Sequence, residues 1–197
     1  LNGFSGTVTN LSGNADVDVG SGTLTVNQAV AGIYSGQISG TGGVIKSGAA
    51  NLTLTDTNIY SGPTTISAGT LQVGSGGTSG TLGSGAVASN AALAFNRSDA
   101  ITVANAISGT GTLTQAGDGT TSLAGANSYS GTTTISAGTL QVGSGGAAGT
   151  LGSGGVTNNA ALAFNRSNAI TVSNAISGTG VVNQIGSGTT SLTGANT

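Results

Sequence analysis

Apolar and small polar residues alternate along most of the chain. Leu52-Thr53-Leu54, Leu71-Gln72-Val73, Leu93-Ala94-Phe95 and Ile101-Thr102-Val103 each place every second side chain on one face. A period of two predicts half-buried strands. Clusters of Gly, Ser and Asn punctuate them, as in Gly74-Ser75-Gly76-Gly77, Gly109-Thr110-Gly111 and Gly125-Ala126-Asn127. Such clusters supply the positive-φ positions that turns need. No window carries the i, i+3, i+4, i+7 stripe of an amphipathic helix. The fold class is therefore all-β.

The pattern repeats at a fixed offset. Tyr60-Ser61-Gly62 recurs as Tyr129-Ser130-Gly131, Ile66 to Gly77 recurs unchanged at Ile135 to Gly146, and Ala91 to Ser98 at Ala160 to Ser167. Laid on 130–197, segment 61–128 is identical at 53 of 68 positions. A looser copy precedes them: Leu24, Asn27 and Leu54 match Leu93, Asn96 and Leu123. The repeat units are 1–60, 61–129 and 130–197, in one continuous domain. The first and last units break off in mid-repeat, so a piece of a longer array is expected.

Within a unit the apolar positions recur again. One series runs Ile66, Val87, Ile107, Ile135; others run Leu71, Leu93, Leu113, Leu140 and Leu82, Ile101, Leu123, Leu151. This spacing predicts about three coils per unit, averaging about 23 residues, the size of a solenoid repeat. A coil this short buries its apolar side only by stacking on its neighbours. Parallel pairing of equivalent strands then gives a parallel β-helix, or β-solenoid, rising about 4.8 Å per coil. A β-sandwich would not generate this offset with its coil-like sub-periods, and a propeller blade is shorter than the unit, at about 40–50 residues.

Composition sharpens this picture. Mean hydropathy is +0.22, and few side chains are charged: five Asp and three Lys or Arg. In a register-true stack like side chains sit over each other, so sparse charge avoids repulsion while Thr, Ser and Asn cost nothing. There is no Cys or His, which excludes disulfides, zinc and iron–sulfur ligation, haem and His-based triads. A net charge of −2 makes nucleic acid an unsuitable partner. No run approaches the roughly 18 apolar residues of a membrane helix, so no membrane insertion of this segment is expected.

The segment Gly109 to Gly143, GTGTLTQAGDGTTSLAGANSYSGTTTISAGTLQVG, resembles the autotransporter-associated β-strand repeat of Gram-negative passenger domains. The segment from Gly40 resembles it too, and a third starts at Gly178. The resemblance implies a right-handed parallel β-helix, exported through an outer-membrane barrel and displayed on the bacterial cell surface. It implies a stalk, adhesin or aggregation factor, with no catalytic residue to carry over. Partners would be other copies, through sides or ends, or a cell-surface glycan or protein. The alternative is a spacer for a distal enzymatic region, one acting on polysaccharide for example.

Few residues compete for a chemical role. Asp16 and Asp18 offer too few oxygens for a calcium site and read as exposed carboxylates beside a turn. Arg97, Asp99, Arg166 and Asn168 read as turn-borne residues whose charge deters edge pairing, rather than as acidic-sugar contacts. Tyr34, Tyr60 and Tyr129 read as rings packed over a neighbouring coil rather than a sugar platform. Asn27, Asn96 and Asn165 read as local turn formers. Asp56, Asp99 and Asp118 lie at different points of the unit, and their counterparts in the next unit are Gly125, Asn168 and Ser187. Paired acid–base chemistry is therefore not expected. Thr53/Thr55 and Thr112/Thr114 do not recur as ranks, which discounts an ice-binding face. No catalytic, cofactor or metal site is expected.

Overall fold

The computed structural model describes residues 3–197; Leu1 and Asn2, which open the first repeat unit, lie outside the described residues. Among those residues there is no helix, and every strand pairing is parallel. The chain winds into a β-solenoid with three faces.

The first face stacks Gly6–Thr9, Thr23–Asn27, Gly43–Ser47, Thr64–Ile66, Val87–Ser89 and Ile107–Ser108. After a strandless stretch it continues in Ile170–Val172 and Thr190–Leu192. The second face is an eight-stranded ladder running from Gly32–Tyr34 to Ile176–Ser177. The third holds Val17–Asp18 with Ile38–Ser39, then five strands from Ala100–Val103 to Val181–Gln184.

The registers set the turn lengths. Gly6 faces Leu24, Leu24 faces Val44, Val44 faces Thr64, Thr64 faces Val87, and Val87 faces Ile107. All but one of these turns are shorter than the average of about 23 residues that the spacing predicts. The reason lies in how the repeat maps onto the column. On the second face, three turns carry Leu113 through Thr133 and Val156 to Ile176. The repeat counterpart of Leu113 is not Ile176 but Val182, which lies further along the chain and on the third face. Likewise Leu24, Leu93 and Leu162 occupy one repeat position, yet they stack on the first, second and third faces respectively. Each repeat thus advances three turns and one face.

The interior is a continuous column. Leu71, Leu93 and Leu113 stack directly, and all are at most 1% exposed. Each such aliphatic side chain contributes about 1.5–3 kcal/mol when fully buried. At one corner Gly42, Gly62 and Gly85 lie over one another, so that a Cβ on Gly62 or Gly85 would collide with the carbonyl of the glycine one turn earlier. Side chains are excluded there, and the backbones close to hydrogen-bonding distance: Gly62 N donates to Gly42 O at 3.2 Å.

Candidate functional site

The structure gathers most of the chain's polar chemistry at the corners of the column. Lys46 alternates inward with Val44 and is fully buried. Its Nζ donates to the carbonyls of Ser47 (3.1 Å), Gly48 (2.9 Å) and Ala68 (3.0 Å). Burial pulls its pKa below the ordinary lysine range. Its counterparts in the next two units are Gln115 and Gln184. Gln115 Nε2 donates to Gly117 O (2.7 Å) and Gly119 O (3.2 Å); Gln184 Nε2 donates to Gly186 O (2.9 Å) and Gly188 O (2.8 Å). One inward donor per repeat thus binds the carbonyls of the turn that follows its strand; those of Ser47 and Gly119 also accept from the backbone N–H of Gln28 and Thr139. Sequence reasoning missed this role. The signal was present: a lysine and two glutamines share one strand phase at the repeat offset.

A second bracket forms at Asn58 and Asn127. Asn58 Oδ1 accepts from Ile38 N (2.8 Å) and its Nδ2 donates to Thr81 O (2.7 Å), spanning three turns. Asn127 does the same between Ile107 and Thr150. Two residues on, Tyr60 and Tyr129 are buried, each with its hydroxyl bonded to a threonine, Thr64 (2.6 Å) or Thr133 (2.8 Å). A Cβ at Gly83 would sit 2.5 Å from ring atoms Cδ2 and Cε2 of Tyr60, so the next turn passes over the ring as bare backbone. Burial raises the pKa of both tyrosines, and the threonine bond opposes it. Tyr34 is buried as well and donates to Ala15 O (2.6 Å). None of the three rings is available as a sugar platform.

Arg97 and Arg166 depart from the expectation. They are not turn-borne edge charges but are 8% exposed. Each clasps a glycine-rich excursion of the preceding turn, residues 74–80 or 143–149. Arg97 donates to Gly80 O (2.6 Å) and Thr78 O, and Arg166 to Gly149 O and Ala147 O. The excursion carbonyls need donors, and a five-donor guanidinium supplies them from one side chain. Asp99 pairs with Arg97 at 2.7 Å, and the hydrogen bond from that guanidinium holds its carboxyl below the usual range. Asn168 accepts from Arg166 Nε at 3.0 Å without a charge. All three basic side chains of the protein are therefore interior.

Three further carboxylates bind backbone amides. Asp16 accepts from Gln37 N (2.8 Å), Asp18 from Gly20 N (2.7 Å) and Asp56 from Thr57 N (2.7 Å). No group of three or more metal-ligating side chains occurs among the described residues. Asn96 and Asn165 act through their backbones, accepting from Gly76 N and Gly145 N at 2.8 Å. A cavity of about 560 Å³ lies between the second excursion and residues 170–174; its counterpart one repeat earlier measures about 70 Å³.

The inward donor, the asparagine bracket, the buried tyrosine and the arginine clasp all recur at the repeat offset. The passenger-associated-transport-repeat model matches residues 44–73 and 113–142. Each match contains the inward Lys46 or Gln115, the asparagine bracket and the buried tyrosine. This chain carries autotransporter passenger repeats. A 70-residue stretch, 35% of the chain, is 40% identical to the adhesin BmaC autotransporter of Brucella suis biovar 1 (strain 1330). That stretch spans only 2% of the adhesin's length. No solved structure matches the chain. The passenger repeats thus coincide with the elements that lock one turn to the next.

Proposed function

We propose that the chain is a non-enzymatic stalk segment of a surface-displayed autotransporter passenger, supporting adhesion or cell aggregation. The observation that carries this reading is the parallel pairing of strands on all three faces, with corners closed by the buried lysine, asparagine, tyrosine and arginine brackets. A column hydrogen-bonded turn to turn resists bending and holds whatever it bears away from the membrane. The chain also lacks cysteine, so no disulfide would obstruct passage of an unfolded passenger. Asp16, Asp18 and Asp56 each accept from a backbone amide and Asp99 is held by Arg97, which argues against a paired acid–base role for them. The name of the Brucella relative supports the adhesive part of the reading.

The test is to display one, two or three repeat units on a cell between an outer-membrane anchor and a terminal tag. Each unit should raise the tag by about 16 Å, three and a third turns at the strand spacing. A multi-unit passenger should also promote cell aggregation more than its anchor alone. A tag height that does not grow with unit number would refute the stalk.

A further inference from the structure

Where the first face resumes after its strandless stretch, the turn-to-turn ladder is broken. Ile170–Val172 pairs only with Thr190–Leu192, in the turn that follows. Ile170 N donates to Thr189 O (2.8 Å) and Val172 O accepts from Thr193 N (2.9 Å), so both residues turn their backbone toward that later strand. Polar backbone groups alternate sides along a strand. Thr171 and Ser173 therefore turn their N–H and C=O toward the preceding turn. Ala175, in the same phase, does pair backward, its carbonyl accepting from Val156 N at 2.8 Å. The backbones of Thr171 and Ser173 find no hydrogen-bond partner among the described residues, and nor does that of Leu151 in the preceding turn. Asn174 spans the break instead, its Nδ2 donating to Gly152 O (2.7 Å) and Gly154 O (2.6 Å).

The open edge faces a notch. Thr171 and Ser173 line the cavity of about 560 Å³, together with Ser128, Leu151 and Ser153 of the two turns before. That volume is within the range of small-ligand sites. Leu151 and Gly152 are recessed, while Ser128, Thr171 and Ser173 are exposed at the rim. The first copy holds the same edge, because Ala100–Val103 opens its sheet and leaves Thr102 facing backward. There, however, exposed Ile59 stands at the position of Ser128, and the space measures about 70 Å³. The unpaired edge is common to both copies; the room beside it belongs to the second.

An unpaired strand edge is a template for another backbone. Donor and acceptor recur on it at the two-residue spacing of a strand, which a polypeptide matches and a sugar does not. Leu151 and Ile170 give the notch aliphatic walls between its hydroxyls. Arg166, the one charged group among the described residues that line it, is bonded to the excursion. These walls suit an uncharged segment whose hydroxyl and aliphatic side chains alternate.

We propose that this notch binds an extended, uncharged segment of a partner protein, added as a strand to the open edge of Ile170–Val172 through the backbones of Thr171 and Ser173. A recessed floor under an exposed rim takes a single strand from solvent rather than the broad end of a second copy. The site goes beyond the stalk reading and does not depend on it.

The test is calorimetric titration of the full chain with the acetylated, amidated peptide Thr139-Leu140-Gln141-Val142, a sequence that already pairs with strand edges in this fold. One saturable site is expected. Two N-methylated forms, one blocked at Thr139 and Gln141 and the other at Leu140 and Val142, each spare a different edge of the peptide. One should bind close to the parent and the other about tenfold weaker or worse, since backbone hydrogen bonds are lost. Ser128→Ile copies the first repeat, which already folds with Ile59 in that place, and should weaken binding at least tenfold. Thr171→Pro removes an N–H from the open edge while sparing the ladder to Thr190–Leu192, and should weaken binding in the same direction. Absence of saturable binding, undiminished binding in Ser128→Ile, or equal binding of the two methylated forms would overturn the proposal. Self-association of the chain that Ser128→Ile abolishes would place a second copy in the notch and overturn the choice of occupant.

Discussion

At the scale of single residues, the protein keeps its cations inside and tunes them by neighbours. Lys46 is the sharpest case. Its lowered pKa means that the unfolded chain holds the proton more tightly than the folded one. Its contribution to stability is therefore least favourable below the folded pKa, and improves as pH rises from there toward the ordinary lysine range. Lys46→Gln copies the residue used at 115 and 184. It should keep or raise the urea midpoint at neutral pH and flatten that alkaline rise, which a pH series of unfolding curves would check. The tyrosines titrate with the opposite sign. Their raised pKa values favour the folded state below the ordinary tyrosine range, and that support is lost as pH rises through the folded values. With no Trp in the chain, tyrosinate absorbance is a clean probe. It should appear together with loss of strand circular dichroism; ionisation of the tyrosines in a fully folded chain would contradict their burial.

At the scale of the element, the turn matters more than the strand. Strands here are two to five residues long, too short to hold alone, so the glycine corner and the arginine clasp decide the geometry. Gly131→Ala would drive a methyl into the carbonyl of Gly111. It should cost about 1–3 kcal/mol, the usual range for overpacking, seen as a lowered urea midpoint. Arg97→Ala should release residues 74–80, making that excursion the first site of subtilisin cleavage while distant turns stay protected. Much of this level was legible in advance. Alternation at Leu71-Gln72-Val73 and Leu93-Ala94-Phe95 predicts strands where the structure has them. The arginine was misread because a charge between Asn and Ser in sequence looks solvated. Its true partners, the carbonyls of Thr78 and Gly80, are distant in sequence, and only coil stacking brings them near.

At the scale of the whole molecule, the repeat and the coil are out of step, and this has consequences. An apolar series such as Leu71, Leu93, Leu113, Leu140 reads from sequence as four stacked residues. The structure stacks the first three on the second face, while Leu140 lies on the third. The longer last gap is one turn plus one face, a distinction that identity at the repeat offset cannot reveal. Successive excursions therefore leave the column from successive faces, so the stalk offers its loops around its circumference rather than along one side. The final described turn also leaves Val181, Val182, Ile185 and Leu192 between 40% and 58% exposed. Unpaired strand edges lie beside them, so the isolated chain should self-associate with concentration, and Val182→Asp should reduce this in sedimentation.

The central claim is that parallel turns stack in register at these lengths, and paired cysteines read it directly because the chain has none of its own. Thr114 and Thr134 are Cα partners in adjacent turns. Thr114→Cys with Thr134→Cys should form a disulfide on mild oxidation, since neighbouring strands lie within disulfide reach. Thr114→Cys with Ala137→Cys, the pair that the longer coil read from sequence would align, should not. Cross-linking of the second pair but not the first would contradict the fold described here.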